Sequence, residues 1–307
     1  MPARPALIAL DWGTSNLRAS LLDAQGAVLE HLSEPGGIMK VPAGQFSASL
    51  LALCGPWLAA HQVAVIASGM VGSRQGWKEA PYLPCPARLH EAAHALTRVE
   101  VEGAPGAFVH IVPGLRCLDA SGQADVMRGE ETQLWGAGLP AHSVCVLPGT
   151  HSKWAWLGDD GQVQAFKTYM TGELFGLLTQ HGILGRLMTF VPGAALDREA
   201  FDAGLALGRQ GHADLAHTLF AARTAGLMGQ WESRRLPDFL SGILLGSEIA
   251  SALLGSPLKS VRLLGDEPLC QRYAAAFAQF GIACDTVSEE ATTHGQWLIA
   301  RAAGLCA

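Results

Sequence analysis

The chain has 307 residues, 49% of them hydrophobic, and a formal net charge of −6. That is ample material for two medium domains, and an acidic balance without any basic run excludes nucleic acid as an expected partner. Apolar runs break at glycine or charge well before the ~18 residues a membrane span needs, and the start, Met1-Pro2-Ala3-Arg4-Pro5, leads into too short an apolar run for a signal peptide. Seven cysteines are scattered singly, which argues against zinc sites and disulfides and for buried thiols at Cys54, Cys145 and Cys284. The expectation is a cytosolic protein.

Leu7 to Leu10 reads as an apolar strand running into Asp11-Trp12-Gly13-Thr14; a second strand leaves at Leu17, and Asp23-Ala24-Gln25-Gly26 turns into a third, Val28 to Leu32. A Gly/Pro-rich stretch, 35–44, precedes helical spacing in Phe46, Leu50, Leu53 and Trp57, then a short buried strand, Val63 to Ala67. Ser68 to Tyr82, with Gly69, Gly72 and Gly76, is a loop at a strand end, read as functional or as a long surface connection. Phe108 to Val112 is the next strand, ended by Pro113-Gly114. Val126-Met127-Arg128-Gly129 opens a helix, Glu130 to Gly136, whose first-turn acids Glu130 and Glu131 also suit the helix dipole.

The second half restarts with its own three-strand meander, Val144 to Tyr169, after which Thr171-Gly172-Glu173 opens a helix. Leu215 to Gln230, Phe239 to Leu254 and Glu267 to Phe280 read as further helices, with a strand at Val261 to Leu264 ending in Gly265-Asp266. A last strand, Ala283 to Val287, precedes a helix from Ala291 to Ala303. Both halves thus begin with a meander and continue with alternating helix and strand, so the fold class is α/β in two similar domains, 1–138 and 139–290, with a cleft between them and the C-terminal helix, 291–305, returning to the first.

The two meanders share a layout at their first turn. Each apolar strand enters a Gly-Thr pair, Gly13-Thr14 and Gly149-Thr150, whose backbone N–H groups can converge on a phosphate. Ordinary hairpin turns explain either one alone. The copies differ in chemistry: Asp11 stands before Gly13 where a carboxylate can hold hydrated Mg2+, and Leu147 holds the matching place before Gly149.

Paired hairpins in two β-β-β-α-β-α, ribonuclease H-like domains resemble the superfamily of sugar kinases, actin and heat-shock chaperone ATPases. A narrower resemblance rests on longer strings: Ala9-Leu10-Asp11-Trp12-Gly13-Thr14-Ser15-Asn16-Leu17-Arg18, Gly69-Met70-Val71-Gly72-Ser73, Gly76-Trp77-Lys78 with Ala80-Pro81-Tyr82, Val126 to Gln133, Pro148-Gly149-Thr150-His151-Ser152-Lys153-Trp154, and Met170-Thr171-Gly172-Glu173-Leu174. These are similar to the 2-dehydro-3-deoxygalactonokinase family, which implies an actin-like ATPase/sugar kinase fold and ATP-dependent phosphorylation of the 6-hydroxyl of 2-dehydro-3-deoxy-D-galactonate. Mg2+ and ATP are the implied cofactors, and a homodimer is the assembly allowed for.

On that resemblance Asp11 is assigned to Mg2+, Gly13, Thr14 and Ser15 to the γ-phosphate, and Gly149, Thr150 and His151 to the β- and γ-phosphates, with Ser152 and Lys153 in support. Gly242 and Gly265 are placed at the nucleoside end, where a plain helix cap explains Asp266 as well. Related sugar kinases carry an aspartate as proton acceptor before the second hairpin; here Gly129-Glu130-Glu131 occupies that region, so Glu130 is favoured and Glu131 or Glu173 stay open. Asn16, Arg18, Trp12, Gly69, Met70, Trp77, Arg128 and Glu173 are the substrate candidates. Arg18, Arg74, Lys78 and Arg128 are the cations that could meet its carboxylate, or could be solvated surface charges. Competing readings are a kinase for another 2-keto-3-deoxy sugar acid and a non-catalytic actin-like ATPase or ligand sensor.

Overall fold

Leu7, Ile8, Ala9 and Leu10 are all buried, which requires cover on both faces of their strand and a central place in its sheet. The computed structural model describes residues 4–255, 257–287 and 290–306; Met1, Pro2 and Ala3, read above as part of the start, lie outside them. In chain order the first elements are β1 (Pro5–Trp12), β2 (Leu17–Asp23), β3 (Val28–Glu34), α1 (Phe46–Ala60), β4 (Ala64–Ser68), β5 (Tyr82–Pro84), α2 (Leu89–His94), β6 (Thr97–Glu100), β7 (Phe108–Ile111), β8 (Gly114–Leu118), β9 (Ala124–Met127) and α3 (Glu130–Gly136). They are followed by β10 (Val144–Leu147), β11 (Ser152–Leu157), β12 (Val163–Tyr169), α4 (Thr171–Gln180), α5 (Arg198–Gln210), α6 (Leu215–Thr218), α7 (Ala221–Leu227), α8 (Leu236–Ala252), β13 (Ser260–Leu263), α9 (Glu267–Gln279), β14 (Ala283–Thr286) and α10 (Ala291–Ala302).

The first sheet runs β3-β2-β1-β4-β7-β6, with β1 antiparallel to β2 and parallel to β4. A second sheet runs β12-β11-β10-β13-β14. Its order, third, second, first, then two later strands, repeats that of the first sheet from β3 to β7. A small sheet, β5-β8-β9, completes the set. The chain divides into two compact units, one of Met1–Ser143, Ala155–Phe166 and Ser288–Ala307, the other of Val144–Trp154 and Lys167–Val287.

In the first unit the core gathers on α1, whose Phe46, Leu50, Cys54 and Trp57 recur at helical spacing and pack with Leu10, Trp12 and Val65. The C-terminal α10 lies on α3, so close that a side chain at Gly295 would strike the Thr132 carbonyl. Buried Gln296 donates from Nε2 to the Leu10 carbonyl at 2.6 Å and the Ser68 hydroxyl at 2.8 Å, joining α10 to the ends of β1 and β4. In the second unit Phe239, Leu240, Ile243 and Leu244 of α8 form a core with Ala200 and Ala222.

Several expected elements differ. Val126 and Met127 belong to a strand, β9, paired with β8, because the Asp119 carboxylate caps a tight turn through Ser121 N and Gln123 N; the helix that follows Gly129, at φ 108°, runs over Glu130–Gly136 as expected. The strand from Phe108 ends before Pro113-Gly114 as expected, and Gly114 goes on to begin a further strand, β8. Leu215 to Gln230 is broken into α6 and α7, since the Thr218 hydroxyl closes back on the Asp214 carbonyl at 2.9 Å. Cys54 and Cys145 are buried, whereas Cys284 is half-buried; all seven thiols are free.

Candidate active site

The β1–β2 turn is held from one side. The carbonyls of Gly13 and Ser15 accept from Ile38 N and Gly37 N, each at 3.0 Å, and a Cβ at Gly37 would stand 2.3 Å from the Ser15 backbone. Among the described residues the amides of Thr14, Ser15 and Asn16 donate to no protein acceptor. Thr14, Ser15 and Asn16 are exposed. At the strand end beside them Asp11 Oδ2 lies 3.4 Å from Arg18 Nη1. Burial raises the Asp11 carboxyl above the ordinary range, against the opposing pull of the Arg18 guanidinium.

Around that carboxylate the structure gathers Gly69, whose absent side chain leaves room for the Trp12 carbonyl, and Gly129, which abuts Gly69. The two glutamates that follow point different ways. Glu131 is 0% exposed, accepting from Gly129 N at 2.8 Å and Thr132 Oγ1 at 2.9 Å. Burial, and then the neighbouring Glu130, push its carboxyl up to about 7. Glu130 is half-buried and accepts from Arg128 N at 2.9 Å. Both glutamates accept from the backbone amide two residues earlier, and Glu130 is the more exposed of the two.

One substrate candidate is corrected. Trp12 is 0% exposed; its indole sits edge-on to Phe46 and Trp77 and donates to the Gly36 carbonyl, so it is core under the turn and not a wall for a sugar. Arg128 is buried over the Tyr82 ring and donates from Nη2 to the Ala80 carbonyl at 2.8 Å, while its buried Nη1 has no protein partner among the described residues. Arg18 is 56% exposed, and Arg74 and Lys78 are also exposed. Met70 and Trp77 are half-buried, with Trp77 stacked on Phe46.

The β10–β11 turn is held differently. Its amides, at Gly149, Thr150 and His151, again donate to no protein acceptor among the described residues, but the start of α4 presses on it. Glu173 N donates to the Thr150 carbonyl at 2.9 Å, and a Cβ at Gly172 would stand 2.4 Å from the Gly149 carbonyl oxygen. His151 Nε2 meets the Glu173 carboxylate. Ser152 and Lys153 are buried with their polar atoms turned inward, Ser152 Oγ to Tyr273 OH and Lys153 Nζ to the His151 carbonyl, so they support the turn and do not line it.

Against this turn opens a cavity of about 170 Å³, lined by Gly149, Thr171, Gly172, Ser241, Arg272 and Tyr273 with apolar walls from Phe175, Leu244 and Leu269. An apolar pocket opening beside free amides suits a nucleoside with its phosphates. Gly265 follows β13 next to Pro148. Gly242 is placed otherwise than expected: a Cβ there would lie 2.2 Å from the Phe201 carbonyl oxygen, so it serves the crossing of α5 and α8 while its neighbour Ser241 faces the cavity.

Pattern reading also passes over Glu248, a fully buried acid of α8. It accepts from Trp154 Nε1 at 2.8 Å, Tyr273 OH at 2.9 Å and Thr171 Oγ1, and burial raises its carboxyl against these bonds. Its signal in the sequence is a lone carboxylate inside the apolar run Phe239 to Leu254, which has to be paired if it is buried.

Among the described residues no three His, Cys, Asp or Glu side chains are grouped to hold a metal by themselves. A single carboxylate such as Asp11 fits Mg2+, which takes one or two carboxylates and completes its shell with phosphate and water. No helix of the described residues is long and apolar enough to cross a membrane.

A family model described as 2-keto-3-deoxy-galactonokinase matches residues 11–299. The 2-dehydro-3-deoxygalactonokinase of Escherichia coli (strain K12) is 36% identical over 291 residues, 94% of each chain. A protein of Rhizobium meliloti (strain 1021), named as a probable 2-dehydro-3-deoxygalactonokinase, is 37% identical over 301 residues, 96% of each. A crystal structure from Sinorhizobium meliloti, provisionally assigned the same activity, has a TM-score of 0.84 at 36% identity, covering 96% of this chain and 98% of that one. With its doubled strand order and these matches over nearly its whole length, the chain belongs to the 2-keto-3-deoxy-galactonokinase family and has an α/β sugar kinase fold.

Proposed function

We propose that the protein is an ATP-dependent kinase that transfers the γ-phosphoryl group of ATP to the 6-hydroxyl of 2-dehydro-3-deoxy-D-galactonate, giving 2-dehydro-3-deoxy-6-phosphogalactonate and ADP. Beyond family membership, one observation carries the reading: two turns at the same place in two sheets of the same strand order each leave a run of amides without protein acceptors among the described residues, and only the first has a carboxylate, Asp11, on the strand that enters it, where the second has Leu147. Phosphoryl transfer needs such donors on the phosphates and a hard anion for a metal at the reacting end.

Asp11 is the residue that would hold Mg2+, which when bound neutralises charge on the phosphates. Thr14, Ser15 and Asn16 present amides to the γ-phosphate. Gly149, Thr150 and His151 do so for the β- and γ-phosphates, and the apolar cavity beside them takes the nucleoside. Glu130, half-buried after Gly129, receives the proton of the 6-hydroxyl as it attacks. Arg18 meets the substrate carboxylate, leaving Asp11 when substrate arrives. The demand for ATP supports a cytosolic location, and exposed Ile183, Phe190, Phe220 and Met228 support a homodimer.

A coupled ADP-release assay over a panel of 2-keto-3-deoxy sugar acids tests the reading. Mg2+-dependent turnover, fastest with the galactonate derivative, is expected; a faster epimer would reassign the substrate, and no ATP-dependent turnover with any of them removes the kinase.

A further inference from the structure

Glu248 is a carboxylate where the fold has little use for one. It lies in α8 between Leu245 and Ile249, both buried, and is itself 3% exposed. Three donors reach it from three other elements: Trp154 Nε1 of β11 at 2.8 Å on Oε1, and Tyr273 OH of α9 at 2.9 Å with the Thr171 hydroxyl of α4 on Oε2. The Tyr273 oxygen also lies 2.5 Å from Ser152 Oγ. A phenol has one proton, so with Tyr273 donating it to Glu248 the Ser152 hydroxyl donates to Tyr273, and each of these five side chains has a partner.

The partners are not scattered. Ser152 and Trp154 belong to the strand that leaves the second phosphate turn. Thr171 opens α4, whose next two residues grip that turn, Gly172 by close approach and Glu173 by its amide on the Thr150 carbonyl. Thr171 and Tyr273 also line the cavity. One buried carboxylate therefore holds both sides of the turn and one wall of the pocket. A hydrophobic residue could fill the same space without aiming any of these groups.

We infer that Glu248 is a positioning residue for the nucleotide, acting through Thr171, Tyr273 and Trp154 to fix the second turn and its pocket; the inference rests on the kinase reading above. Its role is geometric, since the carboxylate itself is sealed from the ligand.

The test is calorimetric binding of a non-hydrolysable ATP analogue with Mg2+ to the full chain, alongside KM for each substrate. Wild type should bind; no binding would remove the kinase reading and this inference with it. Glu248→Ala should weaken nucleotide binding by about 10-fold or more while the sugar-acid KM stays within about twofold. Glu248→Gln, which can still accept from Trp154 and donate to the two hydroxyls, should recover most of the loss. If Glu248→Ala does not fold, Thr171→Val and Tyr273→Phe each remove one arm of the chain and should give smaller losses of the same kind. Wild-type nucleotide affinity in Glu248→Ala, or in both hydroxyl variants, overturns the inference, as does an equal rise of both KM values, which would mark general softening.

Discussion

The two Gly-Thr turns are the same device built twice, and their supports differ. The first, between β1 and β2, rests on the 36–38 segment and on core Trp12, with Asp11 and Arg18 at its open side. The second, between β10 and β11, has Leu147 buried where Asp11 would be, is clasped by the start of α4, and opens on an apolar cavity. Backbone amides alone do not choose between a reacting and a grasping role. The side chains set around them do.

Removing Asp11, the carboxylate on the strand that enters the first turn, should break the contrast most severely. Asp11→Asn keeps the shape but loses the metal ligand, and kcat should fall on the order of 10⁴-fold with nucleotide affinity largely kept; a loss confined to nucleotide KM would reverse the roles of the two turns. Next comes Glu130, the proposed proton acceptor. Glu130→Gln should lower kcat by about 10³-fold with unchanged binding of a non-hydrolysable ATP analogue, and near-normal turnover would strike Glu130 from the mechanism.

The buried partner of Glu130 offers a stability measurement. Glu131 has an ordinary value of 4.5 and a folded value of about 7, so the fold favours its protonated form. Its contribution is whole below about pH 4.5 and is lost as pH rises towards 7, a change of about 3 kcal/mol. Urea unfolding at pH 5 and pH 8 should show that loss in wild type and a flatter difference in Glu131→Gln; identical slopes would mean that Glu131 is not the group responsible.

The smallest effects sharpen the comparison best. An added Cβ at Gly37 would meet Ser15 at 2.3 Å, and one at Gly172 would meet the Gly149 carbonyl oxygen at 2.4 Å. Gly37→Ala should therefore lower kcat by about 10-fold, and Gly172→Ala should raise the KM for ATP by about 10-fold. If both variants changed the same constant, the division of labour between the turns would be wrong.

Much of this was open to reading from residue order because it is written in local pattern. Val144 to Leu147 and Leu7 to Leu10 are continuous apolar runs entering Gly-Thr, so the duplicated turn is visible before any packing is known. What escaped was non-local. Trp12 looks like a ligand-binding aromatic until Phe46 and Trp77 close over it. Gly242 looks like a nucleotide glycine, but α5 needs its missing side chain, and Gly204 and Gly208 of α5 form the other half of that contact. The strands β5, β8 and β9 are too short for alternation to announce them. Glu248 and Gln296 show in the sequence only as polar residues in apolar company, with no hint of the partners they reach.

The bond from Gln296 to the Leu10 carbonyl joins residues 286 positions apart, and that distance is also a time. Translation at ordinary rates puts roughly 15 to 60 s between the two residues. Throughout that interval the strand that carries Asp11 lacks the bond that α10 supplies, and the whole of the second unit is synthesised in between. Any product truncated ahead of Gln296 leaves the Leu10 carbonyl and the Ser68 hydroxyl without that side-chain amide.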